Sequence, residues 1–283
     1  MSSVPRFPAL PPPLEGQDDD LVRLLTYLER LGGFHGLRYK DKCLRRRIAT
    51  RLRARGLDRV ADYLRLLEND AAELDRLLDA LTINVTKFFR NPEVWEEVER
   101  TVVPALFAQP GHHRLWSAGC ASGEEPYTLA LLLYDYARRQ RRPDELARFE
   151  IIATDIDRAC LARAQRAEYP SFALTETPAR WRVYLEPGPP HRVPAEVRRL
   201  VRWQRHDLLA DPYPTDCSLI LCRNVIIYFA REVQDDLFRR FHGALRPGGF
   251  LLLGKVETIL GPTRALFEVV RPRERLFRRP LDG

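Results

Sequence analysis

The stretch Arg114-Leu115-Trp116-Ser117-Ala118-Gly119-Cys120-Ala121-Ser122-Gly123-Glu124-Glu125-Pro126-Tyr127-Thr128-Leu129-Ala130 decides how this chain folds. A short apolar run passes through small residues into an apolar segment with helical spacing. That order predicts a strand, a tight turn and a helix. Gly119 and Gly123 have no Cβ, so a ligand can approach the backbone closely and positive φ is accessible. Ser122 is placed to cap the helix. Glu124 and Glu125 then fall in its first turn, where acidic side chains favour the dipole. Pro126 suits the same turn, because its missing N–H costs little there.

A strand–turn–helix of this kind can hold a phosphate, although Gly-x-x-x-Gly is by itself a weak signal. Two carboxylates in the turn repel a pyrophosphate, which disfavours a nicotinamide oxidoreductase. They suit a ligand with a cationic centre and hydroxyls, such as S-adenosylmethionine; the alternative is a βα turn with no ligand. The second strand is expected over residues 149–157. Asp155, near its end, is placed to accept hydrogen bonds from ribose hydroxyls, to cap the helix expected over 158–167, or both. It lies farther on than the roughly 20 residues usual for such an acid. The intervening chain around Arg138 and Pro143 leaves room for a longer helix and loop.

Composition bounds the rest. The 283 residues suffice for one large domain and a small one. With 45% hydrophobic and 30% charged residues, the chain is of ordinary globular composition. No apolar run approaches the length of a membrane span, and the N-terminus has no signal pattern, so a cytoplasmic location is expected. Cys43, Cys120, Cys160, Cys217 and Cys222 are scattered, which suits reduced thiols and indicates neither a disulfide framework nor a metal site.

The net charge of +7 is concentrated between Arg38 and Arg59. Residues 40–55 have a helical apolar face of Cys43, Leu44, Ile48 and Leu52. The other face carries Lys42, Arg45, Arg46, Arg47, Arg51, Arg53 and Arg55 with almost no acid between them. It is either a solvated face or a docking surface for an acidic partner. Further helices are expected from the stripe Leu21, Leu24, Leu25 and Leu28, and over 60–67 and 71–81. Residues 1–18 read as a loose tail.

Beyond the second strand, Trp181, Val183 and Leu185 alternate, as do Val197, Arg199, Val201 and Trp203, which predicts a small antiparallel excursion. Ser218 to Cys222 is a buried strand. Arg223-Asn224-Val225-Ile226-Ile227-Tyr228-Phe229 leaves its C-terminal edge, where ligands sit in open α/β sheets. A helix over 233–245 stopped by Arg246-Pro247-Gly248-Gly249, a strand over 250–254 and a last one at 276–277 complete the pattern.

With these pieces placed, the chain resembles the CheR-type chemotaxis receptor methyltransferases, which methylate glutamates on chemoreceptors. The resemblance spans residues 20–280. It is carried by Asn84-Val85-Thr86-Lys87-Phe88-Phe89-Arg90, by Trp116 to Tyr127 of the opening stretch, by Ala153-Thr154-Asp155-Ile156-Asp157, and by Cys222 to Phe229. It implies an α/β, class I S-adenosylmethionine-dependent methyltransferase fold: a Rossmann-like, mostly parallel seven-stranded sheet. It also implies a small all-helical N-terminal domain over 19–83, a linker and connecting helix over 84–108, and a methyltransferase domain over 109–283. An antiparallel β-subdomain is inserted at about 170–203.

The resemblance further implies that S-adenosylmethionine binds through Asn84, Thr86, Arg90, Glu124, Asp155, Asp207, Leu208, Arg223 and Asn224, around the close approach at Gly119. S-adenosylhomocysteine is the product. Asp155 would take the ribose hydroxyls, Asp207 and Leu208 the adenine edge. Asn84, Thr86, Arg90 and Glu124 would surround the amino-acid part. Arg90 and Tyr228 are expected to position the acceptor carboxylate, for which no general base is needed because a glutamate is already ionised at neutral pH. The partner implied is the cytoplasmic helical bundle of a chemoreceptor, docked by Arg45, Arg46, Arg47, Arg51, Arg53 and Arg55. The competing expectations are a methyltransferase acting on nucleic acid or another acidic protein, and a non-catalytic S-adenosylmethionine-binding module. No base-stacking platform supports nucleic acid.

The chain departs from the family pattern at four places. Lys87 replaces a small residue and is expected to put a cation at the site entrance. Asp207 stands where Asn is common. Lys255-Val256-Glu257 replaces a small-and-His pattern, with little expected effect on chemistry. The loop Glu186-Pro187-Gly188-Pro189-Pro190-His191-Arg192 is short and Pro-rich, so recognition without a tethering receptor peptide is expected.

Overall fold

A computed structural model describes residues 14, 16–31, 34–81 and 86–281. The chain divides into two compact units: residues up to 83 together with 228–230, and residues 84–227 with 231–283.

The first unit is helical: α1 (Asp18–Arg30), α2 (Asp41–Ala54), α3 (Val60–Leu67) and α4 (Ala71–Leu81). Leu21, Leu24, Leu25 and Leu28 are all buried, as the stripe predicts, and pack in one core with Leu44, Ile48, Leu52, Tyr63 and Leu77. The other side of α2 is less open than its sequence indicates. Arg51 makes a forked contact with the fully buried Glu73 of α4 (2.6 to 3.0 Å), and Tyr63 Oη–H donates to the same carboxylate at 2.7 Å. Arg55 pairs with Asp70 at 3.1 Å, Arg45 with Asp41 and Asp18, and Arg47 donates to the carbonyl of Ala80. The acids missing from α2 itself are supplied by its neighbours. Arg46 and Arg53 remain exposed.

The second unit is built on a seven-stranded sheet in the order β5-β2-β1-β6-β7-β9-β8. Its strands are β1 (His113–Ala118), β2 (Phe149–Asp155), β5 (Val201–Arg205), β6 (Cys217–Cys222), β7 (Leu245–Leu253), β8 (Glu268–Arg271) and β9 (Leu276–Arg278). The first five run parallel and β9 is antiparallel to both its neighbours. This is the class I methyltransferase pattern. Chain order reverses between β1 and β6, which opens a crevice at their C-terminal ends. Helices α7 (Glu124–Arg139), α8 (Arg158–Arg166) and α11 (Arg231–Ala244) make the crossovers. The helical stretch before β1 comprises α5 (Pro92–Glu97), a π turn (Val98–Val102) and α6 (Val103–Ala108). Pro104, which has no N–H to donate one turn back, accounts for the π turn.

The excursion after α8 corrects the expectation. Its antiparallel ladder is only β3 (Glu168–Tyr169) against β4 (His191–Arg192). Val201 to Arg205 joins the main sheet, parallel to β2, with Trp203 packed edge-on to Tyr127 of α7 at 5.3 Å. Trp181 lies in the short helix α9 (Ala179–Arg182) and Val197 in the short helix α10 (Ala195–Arg198). Trp181 and Leu185 are also i and i+4, and these two are buried while Val183 is exposed. The period read as 2 is one helical turn.

Candidate active site

The C-terminal ends of β1, β2, β5 and β6 bring the site residues of this unit together. After β1 the chain turns sharply, with Gly119 N–H and Cys120 N–H both donating to the Thr154 carbonyl of β2 (2.8 and 2.9 Å). Gly119 and Gly123 have φ of +78° and +94°. Protein, not open space, lies where their side chains would be. A Cβ on Gly119 would meet Val225 Cγ2 at 2.5 Å, and one on Gly123 would meet Trp203, Ala164 and Tyr169 within 2.9 Å. The glycines therefore close the turn against the protein's own side chains. Gly123 is the N-cap of α7, and Ser122 Oγ–H donates to the Glu124 carboxylate at 2.8 Å instead of capping a backbone N–H.

The adjacent acids diverge, because successive helical residues point about 100° apart. Glu125 accepts from Ser117 Oγ–H at 2.8 Å and faces Arg223 Nη1 at 3.7 Å. Glu124 is buried near Ser122. Burial pushes both carboxyls above the usual range. Asp155, also buried and pushed up by burial, accepts from Ala121 N–H (2.8 Å) and Asp157 N–H (2.9 Å). The helix-capping role falls to Asp157, whose Oδ1 accepts from Cys160 N–H at 3.0 Å.

The turn carrying Arg90 is strained and strongly held. Phe89 and Asn91 have φ of 53° and 61°. Phe89 N–H donates to Thr128 Oγ1 (3.1 Å), Asn91 N–H to Glu176 Oε2 (2.9 Å), and Phe88 N–H to the Ala173 carbonyl (3.0 Å). Lys87 pairs with Glu176 at 3.4 Å, which offsets the cation expected at the entrance. Thr86 precedes this turn, half-buried; Asn84 lies outside the described residues.

Arg223, 6% exposed, donates to the Arg90 carbonyl (2.8 Å) and Asn91 Oδ1 (3.2 Å), with its guanidinium over Trp95. These contacts give it a role in holding the Arg90 turn. Asn224 follows in the left-handed region (φ 62°), and its side-chain oxygen is buried with no hydrogen-bond partner among the described residues. Asp207 organises the turn after β5: its Oδ1 accepts from Leu209 N–H, and its own N–H donates to Asp211 (both 2.8 Å). The Leu208 carbonyl accepts from Tyr213 and Arg240. Tyr228 lies in the segment that clusters with the helical unit, where its carbonyl accepts from Lys40 N–H at 2.8 Å.

Sequence reasoning assigns no role to Thr128 and Glu176, which hold the Arg90 turn. Glu257 enters the sequence reading only as part of a departure with little expected effect on chemistry. In the structure it is 3% exposed and its carboxylate gathers backbone N–H groups from the 224–227 turn. A buried acid just past a strand end was the available signal.

The family model described as "CheR methyltransferase, SAM binding domain" matches residues 84–275, and "CheR methyltransferase, all-alpha domain" matches residues 19–82. The chain belongs to the CheR methyltransferase family. Among curated relatives, the chemotaxis protein methyltransferase of Listeria innocua is 37% identical over 79% of this chain and 84% of its own length. The Salmonella typhimurium protein of that name is 35% identical over 77% and 76%, and chemotaxis protein methyltransferase 1 of Pseudomonas aeruginosa 31% identical over 86% and 90%.

As a member of this family, the chain is an S-adenosylmethionine-dependent methyltransferase, with S-adenosylhomocysteine as its product. The residues present fit that donor. A buried carboxylate at Glu124 suits an ammonium, Asp155 at the end of β2 suits hydroxyls, and the unpartnered Asn224 oxygen is a free buried acceptor. No helix among the described residues is long and apolar enough to cross a membrane.

Proposed function

We propose that this enzyme methylates glutamate side chains on the cytoplasmic helical bundle of a chemoreceptor, acting in the cytoplasm. S-adenosylmethionine supplies a methyl group on a cationic sulfur, which a carboxylate oxygen can take directly. The observation that supports the choice of acceptor is that, among the described residues, the carboxylates at these strand ends are held by other groups. Glu125 is tied to Ser117 and Arg223, and Asp155 to two backbone N–H groups. His206, at the end of β5, donates from Nε2 to the Pro212 carbonyl and sets its ring edge-on to Trp116, with Nδ1 buried and without a hydrogen-bond partner among the described residues. Carboxylates held in this way suit an acceptor that is already an anion and needs no proton removed, with Arg90 orienting it and desolvation raising its reactivity.

Docking is assigned to the basic side of α2. Because Arg45, Arg47, Arg51 and Arg55 are engaged within the helical unit, Arg46 and Arg53 carry the contact to an acidic bundle. Tether-independent recognition is proposed as well. The ladder of β3 and β4 has two residues per strand, which offers little edge for an added peptide strand.

The test is incubation with radiolabelled S-adenosylmethionine and chemoreceptor-containing membranes, followed by release of base-labile methanol. Label in RNA, or none anywhere, sinks the proposal. Arg46→Glu with Arg53→Glu should raise KM for receptor while affinity for S-adenosylhomocysteine stays unchanged. Binding of a receptor C-terminal pentapeptide would overturn tether independence.

A further inference from the structure

Glu257 lies just past the end of β7, and its carboxylate is bound by main-chain donors from two separate segments. Oε2 accepts from Gly254 N–H (2.6 Å) and Asn224 N–H (2.9 Å). Oε1 accepts from Val225 N–H (2.9 Å), Ile226 N–H (2.8 Å) and, at longer range, Ile227 N–H (3.4 Å). Successive N–H groups converging on one anion form a nest. Here the anion is a side chain of the protein itself. Without it, the first turn beyond β6 would bury several donors with no acceptor.

Two functional features hang on this turn. Asn224 holds its left-handed conformation there, with its amide oxygen buried and unpartnered among the described residues. Val225 packs over Gly119, within 2.5 Å of where a Cβ would stand. One carboxylate thus sets the end of β6 against both the end of β7 and the glycine turn after β1. Gly254 completes the arrangement: a Cβ there would come within 2.7 Å of Glu257 Oε2 and 2.8 Å of Asn224 N.

We propose that Glu257 is a positioning residue for methyl transfer, holding the 224–227 turn so that the Asn224 amide and the Val225–Gly119 contact keep the geometry that binds the methyl donor. This rests on placing the donor at these strand ends. It touches neither donor nor acceptor and acts through Asn224.

The test is calorimetric binding of S-adenosylhomocysteine to the full chain. Glu257→Gln keeps the volume but turns an NH2 group toward backbone N–H groups. Binding should weaken between about 5- and 150-fold, the range for leaving a buried donor unsatisfied. Asn224→Ala should weaken binding too, and the double variant should be no weaker than the weaker single, because both changes remove one feature. Additive losses, or a lowered Tm with unchanged affinity in the folded protein, would overturn the proposal. If Glu257→Gln does not fold, Gly254→Ala crowds the same carboxylate without altering charge, and the same weakening and non-additivity are required of it. Since S-adenosylhomocysteine binding needs no acceptor, failure of the receptor-glutamate proposal would leave this result untouched.

Discussion

Arg223 Nη2 donates to the carbonyl oxygen of Arg90 at 2.8 Å, across 133 positions of chain. The same guanidinium reaches Asn91, Glu125 and the face of Trp95. A residue the family pattern marks as a donor ligand therefore works, within the protein, as the support of the turn that presents Arg90. Burial pushes the Arg223 guanidinium down and the Glu125 carboxyl up, both toward neutrality. Arginine nevertheless stays charged in proteins, and its opposite is the buried acid.

Arg223→Lys retains the charge and loses the planar fork. Displacement of the Arg90 turn should lower kcat/KM on the order of 100-fold. Arg223→Ala leaves Glu125 buried without its ion-pair partner and should cost about 3–5 kcal/mol by urea denaturation. Adding Glu125→Gln should recover much of that loss. An Arg223→Ala protein as stable as the wild type would show that the ion pair carries no net weight.

Arg90 itself is only half-buried. Arg90→Ala should abolish methyl transfer in a protein that keeps its fold by circular dichroism. Surviving activity would remove Arg90 from the reaction.

Gly119→Ala meets two separate penalties. The left-handed φ costs an alanine roughly 1–2 kcal/mol, and its methyl would strike Val225. Adding Val225→Ala should relieve the second and not the first, so the double variant should melt between Gly119→Ala and wild type.

Asp155 and Asp157 can be separated by paired measurements. Asp157→Ala removes the α8 cap and should cost about 1 kcal/mol of stability with S-adenosylhomocysteine binding retained. Asp155→Asn places an NH2 group against a backbone N–H, and should weaken binding by about 1–3 kcal/mol. The reverse pattern would make Asp155 a structural cap and nothing more.

Glu73 predicts a pH dependence for the helical unit. Burial pushes its carboxyl up, but hydrogen bonds from Arg51 and Tyr63 and the charges of Arg51 and Arg55 outweigh burial, so it stands below its ordinary 4.5. The folded state then holds this proton less tightly than the unfolded state. The stabilisation is complete above the ordinary value and is lost as pH falls through the lower, folded one. Urea midpoints taken from pH 7 down to pH 3 should fall, and Glu73→Gln should flatten that part of the curve.

Local pattern was enough wherever one element decides its own form. The Leu21 to Leu28 stripe, the helices at 60–67 and 71–81, and the strand, turn and helix around Gly119 could all be read from residue spacing. It misled where two periods coincide, as at Trp181 and Leu185. It misled again where a strand's partner had to be chosen: Val201 to Arg205 has the same alternation whether it pairs parallel with β2 or antiparallel with a neighbour. The charge on α2 looked unopposed because its partners lie elsewhere in the chain: Asp18 on α1, Glu73 on α4 and Asp70 just before α4.

By itself, the sequence determined the class of site: a glycine turn with an acidic pair, an acid ending the second strand, and an arginine upstream. These are properties of residue type and spacing along one chain. Only the tertiary structure decided what each of them touches. It filled the space at Gly119 with Val225, split Glu124 from Glu125, moved the α8 cap to Asp157, and set Arg223 under the Arg90 turn. It also gave Glu257 the backbone donors of the 224–227 turn. The reason is physical. A buried donor or charge must find a partner when water is withdrawn, and which partner comes within reach is fixed by how strands distant in sequence lie side by side.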